Sequence, residues 1–199
     1  MTLADRLRAA LDEGHRRTPE LLPGDALELE DPDKGPAPAA VLVAVVDRPS
    51  PTVILTLRPE TMKRHPGQVS FPGGRIDPHD PGPVAAALRE AEEEIGLPPS
   101  AVELVGLADP YRTITGFEVI PVVGVVPPDL PLAPHPGEVA AMFEAPLDYL
   151  LDPANHIIRE AMFRGALRTY YEIQWRERRI WGATAAMIVN LSRRLAIPA

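Results

Sequence analysis

The segment Pro83–Ile95 constrains this chain more than any other, because its residue order suits an α-helix and little else. Proline stands at its first turn, Gly96 lies just past its end, and Ala, Leu, Arg and Glu fill the interior, the punctuation and content of a helix. At about 100° per residue, Val84, Leu88, Ala91 and Ile95 form one apolar stripe directed at a core. β-rich runs flank the helix. Residues 39–47 and 52–58, separated by the turn-like Arg48-Pro49-Ser50-Pro51, precede it; residues 102–108, 117–126, 156–163 and 168–175 follow, and a second helix spans about 182–195. Strands on both sides of a central helix predict an α/β sandwich. Residues 59–74 read as a loop.

Ahead of the first strand, residues 1–17 alternate charged and apolar residues at helical spacing, and a stretch crowded with Pro, Gly and Asp follows. Residues 1–38 are therefore expected to be a helix and Pro-rich leader packed on one domain spanning 39–199. With 199 residues, 45% of them hydrophobic and 24% charged, one enzyme-sized domain is the expected organisation.

Composition also removes function classes. The net charge of −8 provides no long-range attraction for nucleic acid or an anionic membrane, so a polyphosphate ligand must be held by local basic groups or bridging metal. No cysteine is present, which excludes disulfides, thiolate zinc sites and cysteine nucleophiles. Neither a secretory signal nor an apolar run near the roughly 18 residues of a membrane span is evident. A cytoplasmic protein is expected, without membrane or nucleic-acid partners. His15, His65, His79, His135 and His156 lack paired ligand spacing, Ser70 lacks a G-x-S-x-G elbow, and no G-x-x-x-x-G-K-[ST] loop occurs.

On the helix face away from the apolar stripe, Glu90, Glu93 and Glu94 share roughly one sector, and Arg89 lies one turn before Glu93, in pairing range. A solvated acidic face is the simple alternative, since like charges at these spacings cost only about 0.2–0.5 kcal/mol per exposed pair. Upstream, however, stands Phe71-Pro72-Gly73-Gly74, where a double glycine exposes backbone carbonyls. Carbonyl and carboxylate together make a hard-oxygen site suited to Mg2+ or Mn2+.

These residues carry a family resemblance. The stretch GGRIDPHDPGPVAAALREAEEEIGL resembles a Nudix box, and its end, Arg89 through Leu97, matches R-E-U-x-E-E-x-G-U in register, U being aliphatic. With Gly74 as the first glycine, the acid after five intervening residues is Asp80 rather than Glu, and eight residues rather than seven separate it from Arg89. Asp77 stands as the alternative acid in that loop. The resemblance implies a Nudix-type α/β/α sandwich with a mixed central sheet and a pyrophosphohydrolase in which Glu90 and Glu94 ligate metal. It further implies that Glu93 is a ligand or orients water, that Gly74 offers a carbonyl, and that Arg89 serves the catalytic cluster.

Leu55-Thr56-Leu57-Arg58 and the run from Met62 to Gly74 resemble the signature of the coenzyme A pyrophosphatase branch, with Lys63 where that branch has Arg. Arg58, Lys63, Arg64 and His65 then form a local basic patch for the substrate's phosphates. Residues 115–124, Glu138-Val139 and 180–184 resemble the branch too, and Glu138 is a candidate carboxylate from a distant loop. The implied reaction splits coenzyme A into 3′,5′-ADP and 4′-phosphopantetheine. The rival readings are a Nudix enzyme for NADH, ADP-ribose or nucleoside triphosphates, and a non-catalytic nucleotide-binding module. The subunit number is open, with a homodimer allowed.

Overall fold

A computed structural model describes residues 1–22, 35–61, 66–163 and 165–195. Its elements run α1 (Leu3–Arg16), β1 (Ala37–Val46), β2 (Thr52–Leu57), β3 (Val69–Ser70), β4 (Gly73–Arg75), α2 (Pro83–Ile95), β5 (Glu103–Leu107), β6 (Tyr111–Arg112), β7 (Phe117–Val126), β8 (Ala141–Pro146), α3 (Leu147–Leu151), β9 (Ile157–Phe163), β10 (Ala166–Trp175), β11 (Arg178–Trp181) and α4 (Ala183–Leu195).

Among the described residues, β1 to β8 make one mixed eight-stranded sheet and β9 to β11 a three-stranded antiparallel one. The central pair, β1 and β7, is parallel from Ala37 opposite Phe117 to Val46 opposite Val126. Parallel neighbours need a crossover connection, and α2 lies within it. Both faces of this pair are covered. Alternation along β1 sends Ala39, Val43 and Val45 to a core shared with α1 and α4, and Ala40, Leu42, Ala44 and Val46 to a core beneath α2. The architecture is the expected α/β sandwich with a mixed central sheet.

At the far face, α1 opens with a capping box: Thr2 Oγ1 accepts from the Asp5 N–H at 3.1 Å and Asp5 Oδ2 accepts from Thr2 N–H at 3.0 Å. Leu3, Ala4 and Leu11 sit in the same buried cluster as Ile188 and Leu191 of α4. Arg194 locks the helices together, pairing both Asp109 oxygens at 2.6 and 2.7 Å and donating to the Gly14 carbonyl at 2.8 Å. Of the Pro-rich leader, residues 23–34 lie outside the described residues; at Leu22 the backbone exchanges hydrogen bonds of 2.8 and 2.9 Å with the Asn190 amide.

Six elements were not expected from the sequence. Short β3 and β4 occupy the segment predicted as loop 59–74, and β6, β8, α3 and β11 lie between or beyond the expected strands. None has enough period to announce itself; each is held by a neighbour, as β8 is by β2 from Thr52 opposite Pro146 to Leu57 opposite Ala141.

Candidate active site

The site is built where β1 and β2 diverge. Both strands pair only near Val45–Val53, after which β2 takes β3 as its partner and β1 takes β4. The residues joining β3 to β4 thus bring Gly73 and Gly74 into the sheet, Gly74 opposite Ala40 and Gly73 opposite Val41. The backbone admits only glycine at Gly73, and glycine at Gly74 leaves room for a neighbouring side chain. A Cβ on Gly73 would lie 2.6 Å from the Val41 Cα, and one on Gly74 would lie 2.5 Å from the Glu90 carboxylate.

Over this glycine strand lies α2, stopped at Gly96 by a left-handed residue (φ +67°) whose N–H reaches the Glu92 carbonyl. Small Ala86, Ala87 and Ala91 are fully buried with Ile95 against β1. The buried face departs from the expected stripe: Val84 and Leu88 are only half-buried, while Glu94 is just 5% exposed. With no side chains on Gly73-Gly74 to fill the space, the carboxylate flank of the helix settles onto the strand.

Glu94 accepts a hydrogen bond from the Gly73 N–H at 3.1 Å. Burial pushes its carboxyl up to about 7, and the negative charges of Glu90 and Glu138 push the same way, against the Gly73 N–H and Arg58, which lower it. Glu90 is also raised, first by burial and then by Glu93 and Glu138, against Arg89. A buried and a partly buried carboxylate, Glu94 and Glu90, therefore stand together over the glycine backbone, in surroundings that disfavour their negative charge. Glu93 is different. Its side chain is 56% exposed and paired with Arg89 at 3.1 Å, so the expected convergence of three glutamates narrows to Glu90 and Glu94, with Glu93 on the rim.

Arg89 organises the surroundings. Its guanidinium donates to Asp80 through Nε at 3.1 Å and Nη2 at 2.9 Å, to Glu90 and Glu93 at 3.1 Å each, and to the Arg75 carbonyl at 3.1 Å. Asp80 is spent on this clamp, being only 8% exposed and also accepting the Asp77 N–H at 2.8 Å. Arg89 holds it well below the usual carboxylate range. Asp77 is exposed, 3.8 Å from the same guanidinium. The two loop acids thus face Arg89 and brace the loop against α2, which gives the longer, Asp-bearing box its physical sense.

Of the predicted basic patch, Arg58 is half-buried, and its positive charge is felt by Glu94. Its Nε is buried without a hydrogen-bond partner among the described residues. Lys63, Arg64 and His65 lie outside the described residues. Glu138 stands in a loop pinned to the end of α2, where Ala133 N–H donates to the Ile95 carbonyl at 2.9 Å and His135 N–H to the Glu94 carbonyl at 2.8 Å. Although exposed, it is close enough to raise both Glu90 and Glu94. The sequence does not reveal the Gly73 N–H as a partner of Glu94, because that contact depends on β4 pairing with β1.

The donor set fits a hard divalent cation. Among the described residues no three His, Asp or Glu side chains already form a metal cage. Two carboxylates beside a glycine backbone suit an ion that keeps waters and takes its remaining ligands from substrate phosphates, as Mg2+ does. Gly74, where a Cβ would press on the Glu90 carboxylate, keeps that space open.

A NUDIX domain model matches residues 36–164, from the start of β1 to the β9–β10 turn. The chain belongs to the Nudix family. It is 42% identical over 159 residues to the uncharacterized Nudix hydrolase NudL of Escherichia coli strain K12, covering 80% of this chain and 83% of that protein, and equally so to NudL of strain O7:K1. It also overlays a Mycobacterium smegmatis Nudix hydrolase, RenU, with 25% identity and a TM-score of 0.49 over 58% of this chain and 73% of that one. A Caenorhabditis elegans Ap4A hydrolase overlays with 17% identity and the same TM-score, covering 55% and 80%. These overlays add nothing to the assignment, which rests on the domain match and the NudL relatives. As a Nudix hydrolase, the protein acts on pyrophosphate bonds, and the family uses divalent metal ions.

Proposed function

We propose that this Nudix hydrolase cuts the pyrophosphate of coenzyme A or an acylated derivative, giving 3′,5′-ADP and the phosphopantetheine half. The observation carrying the reading is the position of Arg58: it ends the Leu55-Thr56-Leu57-Arg58 run and faces Glu94, with a buried Nε that has no hydrogen-bond partner among the described residues. A guanidinium beside the glutamate cradle, in a chain of net charge −8, suits a phosphate held next to the reacting anhydride. Lys63, Arg64 and His65, which lie outside the described residues, are assigned to substrate binding in the same reading.

In this reading Glu90, Glu94 and the Gly74 carbonyl hold Mg2+ or Mn2+. Held there, such an ion would supply charge neutralisation at the pyrophosphate and a lowered pKa for a bound water. The chain's own work is positional. Arg89, tied to Asp80 and Arg75, fixes the rotamers of Glu90 and Glu93. The Gly73 N–H fixes Glu94. Glu93 and Glu138, both exposed beside the pair, are the carboxylates able to orient a water or take its proton.

Residues 39–199 act as one catalytic domain with 1–38 as its leader, and the enzyme works in the cytoplasm; no described helix is long and apolar enough to cross a membrane. The test is side-by-side turnover of coenzyme A, NADH, ADP-ribose and a nucleoside triphosphate with Mg2+ or Mn2+. Release of 3′,5′-ADP at the highest kcat/KM supports the reading, and preference for another compound overturns its coenzyme A part. Tight nucleotide binding with no product after long incubation would point instead to a binding module.

A further inference from the structure

A cleft of about 360 Å³ lies between the β10–β11 hairpin and the β2–β3 edge, lined among others by Leu57, Gln68, Val69, Arg178, Arg179 and Trp181. Its volume falls within the range of ligand sites, about 300–1,000 Å³. One wall is fixed by Thr184, whose hydroxyl donates to the Val69 carbonyl at 3.0 Å and ties the start of α4 to β3. The other wall is aromatic and basic. Arg179 lies 5.0 Å over the Trp181 ring, Tyr170 meets that ring edge-on at 5.9 Å, and Arg178 lies 5.4 Å over Phe143.

Two arginines of this wall differ in how they are paired. Glu172 is shared by Arg179 at 2.6 Å and Arg159 at 3.6 Å, while among the described residues Arg178 pairs only with the exposed Glu177 at 3.7 Å. Arg178 and Arg179 are the guanidiniums that line the cleft, and across from them the Glu60 carboxylate stands against Gly67. Arg178, paired among the described residues only through its long contact with Glu177, keeps guanidinium donors for an anion. Val69 is four residues before Gly73, so the cleft opens at most about 13 Å from the cradle along an extended strand. That is within reach of one substrate bridging both.

We propose that this cleft is the subsite for the phosphorylated nucleoside half of the substrate, with the Trp181 indole as the wall for the base and Arg178 at the additional ribose phosphate. The inference rests on the coenzyme A reading and deepens it. The other half, pantetheine, is a flexible diamide with no aromatic ring and no phosphate beyond the reacting one, so an indole and two arginines would be wasted on it. A base offers a π-face for the indole, and a phosphomonoester offers the oxygens a guanidinium pairs with.

Calorimetric binding of adenosine 3′,5′-bisphosphate to the full chain, alongside kinetics on coenzyme A and dephospho-coenzyme A with Mg2+, tests the assignment. Trp181→Ala is expected to weaken bisphosphate binding about 10-fold, with Trp181→Phe restoring most of it. Arg178→Gln, at the rim, is expected to reduce the KM preference for coenzyme A over dephospho-coenzyme A about tenfold. Unchanged bisphosphate affinity in Trp181→Ala together with an unchanged KM ratio in Arg178→Gln overturns the subsite. If the wild type leaves coenzyme A intact and cuts another nucleotide, the coenzyme A reading fails alone. The cleft then stands if Trp181→Ala raises the KM for that nucleotide about tenfold, and falls if it does not.

Discussion

Replacing Glu94 by Gln should separate stability from catalysis in opposite directions. The folded protein raises this carboxyl from 4.5 to about 7, burial being the largest cause, so the folded state binds the proton more tightly than the unfolded chain does. Below pH 4.5 the group is protonated in both states and its contribution is intact. As pH rises from 4.5 through about 7 the folded state must ionise a buried acid, and stability is lost. A shift from 4.5 to about 7 corresponds to at most about 3 kcal/mol at pH 8. Glutamine still accepts the Gly73 N–H and carries no charge, so Glu94→Gln should avoid this loss. In EDTA, urea unfolding of wild type and variant should coincide near pH 4.5 and diverge by up to about 3 kcal/mol at pH 8, roughly a 10 °C gain in thermal midpoint for the variant. Excess Mg2+ should stabilise the wild type and not the variant, and metal-dependent turnover should fall by at least about 100-fold in the variant. Wild type and variant differing by a constant amount from pH 4.5 to 8 would refute the burial argument. Undiminished turnover would refute Glu94 as a ligand.

Gly74→Ala would place a methyl 2.5 Å from the Glu90 carboxylate, displacing it by about 1 Å; kcat should fall by about 100-fold in a chain whose circular dichroism is unchanged. Asp80→Asn should loosen the Arg89 clamp and lower kcat/KM by about 10-fold to 100-fold, as loss of an outer-shell partner does; steady-state kinetics at fixed Mg2+ would read it. Gly96→Ala forces a Cβ into a left-handed residue of φ +67° and should lower urea-unfolding stability by about 1–2 kcal/mol without changing KM.

The sequence already contains the parts whose signals are local. Pro83 and Gly96 bound α2 at the residues expected, β7 spans residues 117–126 as predicted, and the spacing of Glu90, Glu93 and Glu94 places them on one flank of the helix. It does not contain the parts decided by tertiary pairing. Gly73 and Gly74 read as a loop because two glycines have no strand propensity; they become β4 only because β1 diverges from β2 and needs a partner. The same pairing buries Glu94 and leaves Glu93 exposed, a distinction that helical spacing alone does not make. Asp80 reads from the sequence only as the acid of a lengthened box loop; its oxygens answer Arg89, a contact made by a loop whose path no periodicity encodes. The cleft beside Trp181 lay equally beyond reach, since β11 and β3 are more than a hundred residues apart in sequence.

Direct titration of Mn2+ onto the protein, with free ion followed by electron paramagnetic resonance, tests whether the Glu90–Glu94 pair over the glycine strand is a cation site. Saturable binding by the wild type, weakened at least about 10-fold by Glu90→Gln and by Glu94→Gln separately, is the expected result. Equal Mn2+ affinity in the wild type and both variants would contradict the account at its centre.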